Sequence, residues 1–290
     1  MMYRIIIAVF FLVLVFGACQ QDAADDKLTA SNSQREYFPT EVKWGYINEQ
    51  GETVISPDFD DNRNFYQGLA AVRKGNKWGF IDKKGELVIP LSYKSVWAFK
   101  GGLAKVQSFD NKMGFIDSRG EVIIPTRFDE VVEFSEGLAV FRMDNNYGFI
   151  DREGKEVIPA TFQKAYAFKN GLARVKKSNK YGLINTKGEV IIPIKYRKVG
   201  NLSEGLIRAK KGNYFVYLDQ SNTPIIQKKF NNCTDFVDGF AAAKMDKLYG
   251  LIDQKGNYVV PPTYNQLFSA KNDKWIGELD GKFSLMNTKG

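Results

Sequence analysis

Carboxylates at regularly spaced turns are the first residues here whose placement suggests chemistry. Asp82, Asp117, Asp151, Asp219 and Asp253 recur along the chain and would be natural calcium ligands or acid/base partners. Their local context points elsewhere. Asp82, Asp117, Asp151 and Asp253 are each followed at the third position by Gly. Asp or Asn at the first place of a type I turn accepts local backbone N–H groups, and Gly suits the fourth. No run of alternating acids forms a calcium loop. Histidine is absent, which removes every Ser/His or Cys/His nucleophile arrangement and every His-containing metal site. A glycosidase working with two carboxylates stays open at this level, because their separation cannot be read from sequence.

Other residues offer binding rather than reaction. Trp44, Trp78, Tyr147, Tyr181 and Tyr249 occupy equivalent positions and would suit stacking on sugar rings or bases. Met113 and Phe283 fill the same slot, which favours an internal ladder of side chains. Lys77, Lys84, Lys112, Lys180, Lys187, Lys247, Lys255 and Lys282 lie at turns, where they would line one edge. Such an edge could hold a polyanion, although a solvated rim that blocks aggregation is the simpler expectation. Cys233 follows Phe230 by three, the slot of Val96, Val131, Ala165 and Val199, so a buried apolar role is expected. With 41 Lys and Arg against 33 Asp and Glu, the chain carries +8. No metal or other cofactor is expected.

What positions these residues is a repeat. An aromatic-glycine pair recurs at Trp44-Gly45, Trp78-Gly79, Met113-Gly114, Tyr147-Gly148, Tyr181-Gly182, Tyr214-Phe215, Tyr249-Gly250 and Phe283-Ser284, with spacings of 34, 35, 34, 34, 33, 35 and 34. A period this regular indicates a repeat architecture. Within each unit a strand runs from this pair into the Asp/Asn turn. A β-branched run closed by proline follows, such as Leu87-Val88-Ile89-Pro90, where proline is expected to end the strand. Next come an aromatic, a small apolar residue and a second aromatic ahead of Gly-Leu-Ala, as in Phe128, Val131, Phe134 and Gly137-Leu138-Ala139. These apolar positions should stack between units. Each unit then comprises about three short antiparallel strands and a crossing segment. Unit six departs most, with Tyr214-Phe215, Asn222, Leu202 and Ile207 in place of the usual residues; a local functional surface would explain this, and drift in a tolerant repeat, which explains it equally well, is the preferred account.

The first residues read as an address. Arg4 precedes the twelve-residue apolar run Ile5 to Phe16, and Gly17-Ala18-Cys19 follows. Twelve residues rise about 18 Å as a helix, short of the roughly 30 Å hydrocarbon core, so a signal peptide fits better than a permanent span. Phe16-Gly17-Ala18-Cys19 resembles a bacterial lipobox, with Phe16 where Leu is usual. That implies cleavage between Ala18 and Cys19 and acyl chains on Cys19, enough for stable anchoring. Residues 19–38 form a polar tether, and their acidic cluster, Asp22 to Asp26, looks like the export signal of some surface lipoproteins of Bacteroidetes-type bacteria.

Lys77-Trp-Gly-Phe-Ile-Asp82, with Gly85, Val88-Ile-Pro90, Tyr93, Phe99 and Gly102-Leu-Ala104, resembles the WG-containing repeat, common in bacterial secreted and surface proteins. The likeness covers residues 41 to 290. That family has no generally assigned catalytic site, so the resemblance implies a scaffold and carries over no active-site residues. The expected organisation is a signal peptide over 1–18, a tether over 19–38, and an all-β domain over 39–290 of about eight units, the last truncated. The expected architecture is a tandem array of antiparallel β-meander units, open and curved or superhelical, with a seven-bladed propeller-like ring as the alternative. The expected function is that of a bacterial outer-membrane lipoprotein, surface-exposed or periplasmic. It would bind or scaffold without a catalytic role, held to the membrane through Cys19 and facing an anionic glycan or protein partner. Nucleic acid is disfavoured. A carbohydrate-binding accessory module or a carboxylate-dependent glycoside-active enzyme is the alternative.

Overall fold

The structure, a computed structural model, describes residues 3–9, 41–270 and 274–287. All regular structure among them is β. Eight antiparallel sheets follow one another along the chain, six of them four-stranded. The second sheet shows the plan: Asp61–Asn62, Ala70–Lys74, Lys77–Ile81 and Leu87–Tyr93 pair in chain order. The tandem all-β meander expected from the repeat is what the chain forms, with a fourth, two-residue outer strand that the three-strand expectation omitted.

The first sheet comprises Tyr3–Val9, Glu41–Ile47 and Thr53–Phe59. Tyr3–Val9 falls within the 1–18 stretch expected to be a signal peptide and lies on the side of Glu41–Ile47 that Ala70–Lys74 takes on Lys77–Ile81; a chain cleaved before Cys19 would lack this strand. The last sheet also has three strands, Gln266–Ser269, Lys274–Leu279 and Lys282–Asn287. Contacts group the chain into two compact units, residues 1–111 with 115–122, and residues 112–114 with 123–290. The first two sheets lie in the first unit and the fourth to eighth in the second.

The apolar positions face inward. In the first unit, Tyr46, Ile55 and Phe59 of the first sheet pack with Ala70, Val72 and Ile81 of the second. Phe80 and Ile89 pack in turn with Val96, Phe99 and Ile116. In the second unit one cluster joins Phe149 and Ile158 to Phe168 and Val175, and another joins Tyr217 and Ile226 to Phe236 and Ala243. Each cluster lies between consecutive sheets, so a single unit could not cover its own apolar face and needs its neighbour. The turn glycines seal the same seam. A Cβ on Gly120 would lie 3.3 Å from Ile89, and one on Gly154 3.1 Å from Ile124, the β-branched residue before each preceding proline.

Proline does not end its strand. Leu87–Tyr93 runs three residues past Pro90, and the pairing shifts there, from Phe80 opposite Ile89 to Trp78 opposite Tyr93. Gly79 alone faces Pro90, Leu91 and Ser92, so the strand bulges. Proline is tolerated because a bulge frees its position from the ladder. Glycine is required on the other side, because a Cβ on Gly79 would meet the Ile89 carbonyl oxygen at 2.4 Å. The aromatic-glycine pair and the β-branched-proline run are therefore two halves of one feature.

This pairing also corrects the register of unit six. Phe215, not Tyr214, pairs with the aromatic that closes the proline strand, Phe230, as Tyr181 pairs with Tyr196. The pair there is Phe215-Val216, and spacings through 181, 215 and 249 become 34 and 34. Where glycine gives way to Val216, proline gives way to Gln227 at the matching place of Pro224–Phe230.

Candidate binding surface

The turn carboxylates act on their own backbone. Asp82 Oδ1 accepts hydrogen bonds from the N–H groups of Lys84 at 2.8 Å and Glu86 at 2.9 Å. Asp151 does the same with Glu153 and Lys155, Asp253 with Lys255 and Asn257, and Asp117 with Arg119 and Glu121. Asp219 accepts from Thr223 at 2.8 Å. Burial acts to raise the Asp117 pKa, but the Glu121 and Arg119 N–H donors and the Arg119 guanidinium pull it below the ordinary carboxylate value. Elsewhere the Lys43 ammonium, 2.6 Å away, holds Asp60 low, and Lys112 holds Asp129 low. A general acid for glycoside cleavage needs the opposite shift. Among the described residues no three metal-ligating side chains gather.

Cys233 sits in the small apolar slot predicted for it, 2% exposed, within the cluster of Phe215, Phe230 and Phe236. Burial pushes its thiol up to about 12. Cys19, the Ala18–Cys19 junction and the acidic tether lie outside the described residues.

The aromatic row divides. Trp78 is buried, while Trp44, Tyr147, Tyr181 and Tyr249 are half-buried and Phe283 is exposed. Cations cover faces of several rings: Arg63 over Trp78 at 4.9 Å, Lys244 over Tyr249 at 5.2 Å and Lys176 over Tyr181 at 5.8 Å. The deepest aromatics stand two residues later, a position the sequence reading passed over. Phe80 meets Phe99 with ring centroids 5.0 Å apart, Phe149 meets Phe168 at 4.8 Å and Tyr217 meets Phe236 at 4.9 Å. Leu183 and Leu202 replace both members in the repeat between. That paired change explains Leu202, which sequence alone presented as an isolated departure.

Of the eight turn lysines, Lys112 is drawn into an ion pair with Asp129 and the others are exposed. Seven of the eight line none of four recesses among the described residues of the second unit. These recesses, of about 370, 500, 540 and 340 Å³, lie over residues 166–249. Shared side chains link them: Arg197 lines the first and second, Lys195 and Lys211 the second and third, and Lys210 the second and fourth. Only Lys180 belongs to the predicted lysine set. A local count of charge, rather than of motif positions, is the signal that finds this surface.

Stacked antiparallel sheets with their apolar seams between consecutive copies define a tandem-repeat β protein. The chain belongs to the WG-containing repeat family, whose model matches residues 44–78, 78–112, 113–147, 147–181, 181–215, 217–249 and 249–282. No curated protein matches it. Among solved structures, BamB from Moraxella catarrhalis is similar at 12% identity over 77% of this chain and 80% of that one, with a TM-score of 0.38. A eukaryotic initiation factor is similar at 13% over 81% and 75%, TM-score 0.43, and the WD40 β-propeller domain of Doa1 at 13% over 77% and 90%, TM-score 0.31. The family assignment rests on the repeat and not on these distant likenesses.

Proposed function

We propose that this protein is an extracytoplasmic binding or scaffold protein, held at a bacterial outer membrane by lipid on Cys19 and presenting its repeat surface to a partner. The observation that carries the binding half is the use to which the repeat puts its reactive groups. Turn carboxylates cap backbone N–H groups, and the Cys233 thiol is buried. The exposed surface, by contrast, is concave and charged over several consecutive repeats. Arrays of this kind bind through extended surfaces rather than enclosed pockets. The lipobox-like Phe16-Gly17-Ala18-Cys19 supports the anchoring half.

Labelling cells with a fatty-acid analogue tests the anchor: the wild type takes up label and Cys19→Ala does not, whereas equal labelling of both overturns it. Proteinase treatment of intact cells separates an outward-facing protein, which is cleaved, from a periplasmic one, which is protected. Screening the purified chain on a glycan array tests the binding role. Retained glycan without product release is expected, and turnover of a glycan, abolished by one carboxylate substitution, would replace the binding reading with an enzymatic one.

A further inference from the structure

Charge is unevenly divided along this chain. Residues 164–229 hold 15 Lys and Arg against 3 Asp and Glu, a net +12, while the remainder holds 26 against 30, a net −4. The excess of the whole protein is thus confined to fewer than a quarter of its residues, all in the second compact unit.

The four linked recesses lie on that stretch. Lys180, Lys195, Arg197, Lys198 and Lys211 are exposed around them, and none makes an ion pair among the described residues. Among the described residues, the one ion pair that reaches into this stretch joins Arg208 to Asp235 at 2.6 Å. Elsewhere some lysines are paired, Lys43 with Asp60 and Lys112 with Asp129, and acidic residues outnumber basic ones. Unpaired like charges crowded along a concave surface destabilise the folded chain unless an anion relieves them. Unit six, where Phe215-Val216 and Gln227 replace the usual glycine and proline, lies in the middle: Val216 and Gln227 both line the third recess.

We propose that these recesses form a binding track for a linear acidic polysaccharide, its carboxylate, sulfate or phosphate groups meeting Lys195, Arg197, Lys198, Lys210 and Lys211 in succession. This assignment rests on the binding-protein reading and supplies its ligand class. A sugar chain fits better than single-stranded nucleic acid because the rings at hand are not free platforms for bases. Tyr214 has Lys229 at 4.7 Å, Tyr249 has Lys244 at 5.2 Å and Phe215 has Lys210 at 5.3 Å from the ring centroid. Base stacking needs an open face. A chain that enters grooves also suits linked recesses better than a flat membrane surface does.

The test uses the full chain with polygalacturonate as probe and dextran as the neutral control, at several salt concentrations. Polygalacturonate binding that weakens steeply with salt is expected, with none to dextran. Reversing Lys195, Arg197 and Lys211 to Glu should weaken binding by about 30-fold or more, while reversing Lys77, Lys83 and Lys84 in the first unit should change it less than about threefold, because local contacts exceed the effect of net charge. Neutral Lys195→Gln, Arg197→Gln and Lys211→Gln should give an intermediate loss of binding with a melting temperature that does not fall, because removing like charges relieves their mutual repulsion. Equal losses in the two reversed variants, or no binding to polygalacturonate, overturn the assignment. So does tighter, equally variant-sensitive binding of single-stranded DNA or of phosphatidylglycerol vesicles. Release of reducing ends from the probe would instead overturn the binding reading beneath it.

Discussion

Cys233 shows how burial decides what a reactive residue does. In the folded chain its thiol is shut from solvent and its pKa lies near 12, against an ordinary value of 9.0. The thiolate is the nucleophile, so the native protein should resist maleimide at pH 8 and label rapidly once denatured. A folded-state pKa raised in this way stabilises the protein fully below the ordinary value. That stabilisation is lost as pH rises from about 9 towards 12, since only the unfolded chain ionises easily there. Tyr217, whose hydroxyl donates to the Thr234 carbonyl at 2.8 Å and is also pushed up by burial, adds the same sign. Cys233→Val should fold, because Val occupies the equivalent slot at 96, 131 and 199, and alkaline denaturation should then depend less steeply on pH. Asp151 makes the complementary case for a carboxylate. Asp151→Ala strands the N–H groups of Glu153 and Lys155 and should cost about 1 kcal/mol in urea unfolding. Ligand retention should not change, whereas a ligand-binding role for Asp151 would make it collapse.

At the level of the strand, the bulge and the paired rings set the repeat. Gly79→Ala drives a Cβ into backbone, the Ile89 carbonyl, which no rotamer can relieve. A loss of about 2–4 kcal/mol is expected from overpacking at a rigid site, read as a lowered urea midpoint with an unchanged slope. Alanine is smaller than most residues in this chain, so a tolerated substitution would show that the bulge is not tight. The ring pairs predict coupling. Phe149→Leu and Phe168→Leu remove the two sides of one contact, so a double-mutant cycle should return about 0.5–1.5 kcal/mol. The repeat that carries Leu183 with Leu202 has already made both changes together.

Stability in the whole molecule should be distributed, because each apolar cluster belongs to two consecutive sheets. Such an array behaves as a row of units with nearest-neighbour terms. Hydrogen exchange in Phe149→Leu should therefore accelerate most over residues 130–196, the two sheets that share its cluster, and decay with distance along the chain. Uniform acceleration across all described strands would mean that the array unfolds as one cooperative block instead.

Sequence alone determined the period, the all-β class, the Asp/Asn turns and the inward slots of Phe128, Val131 and Cys233, because each is a local rule of turn chemistry or alternation read eight times over. It misplaced the pair in unit six and stopped the β-branched strand at its proline. Both errors have one source: a bulge is a relation between two strands, and only the observed pairing of Phe215 with Phe230 reveals it. Tertiary structure likewise decided that Phe80 and Phe99, nineteen residues apart, are a single contact. It also gathered the basic residues of separate strands around shared recesses. Those facts depend on which strand lies beside which, and distance along the chain does not encode distance in space.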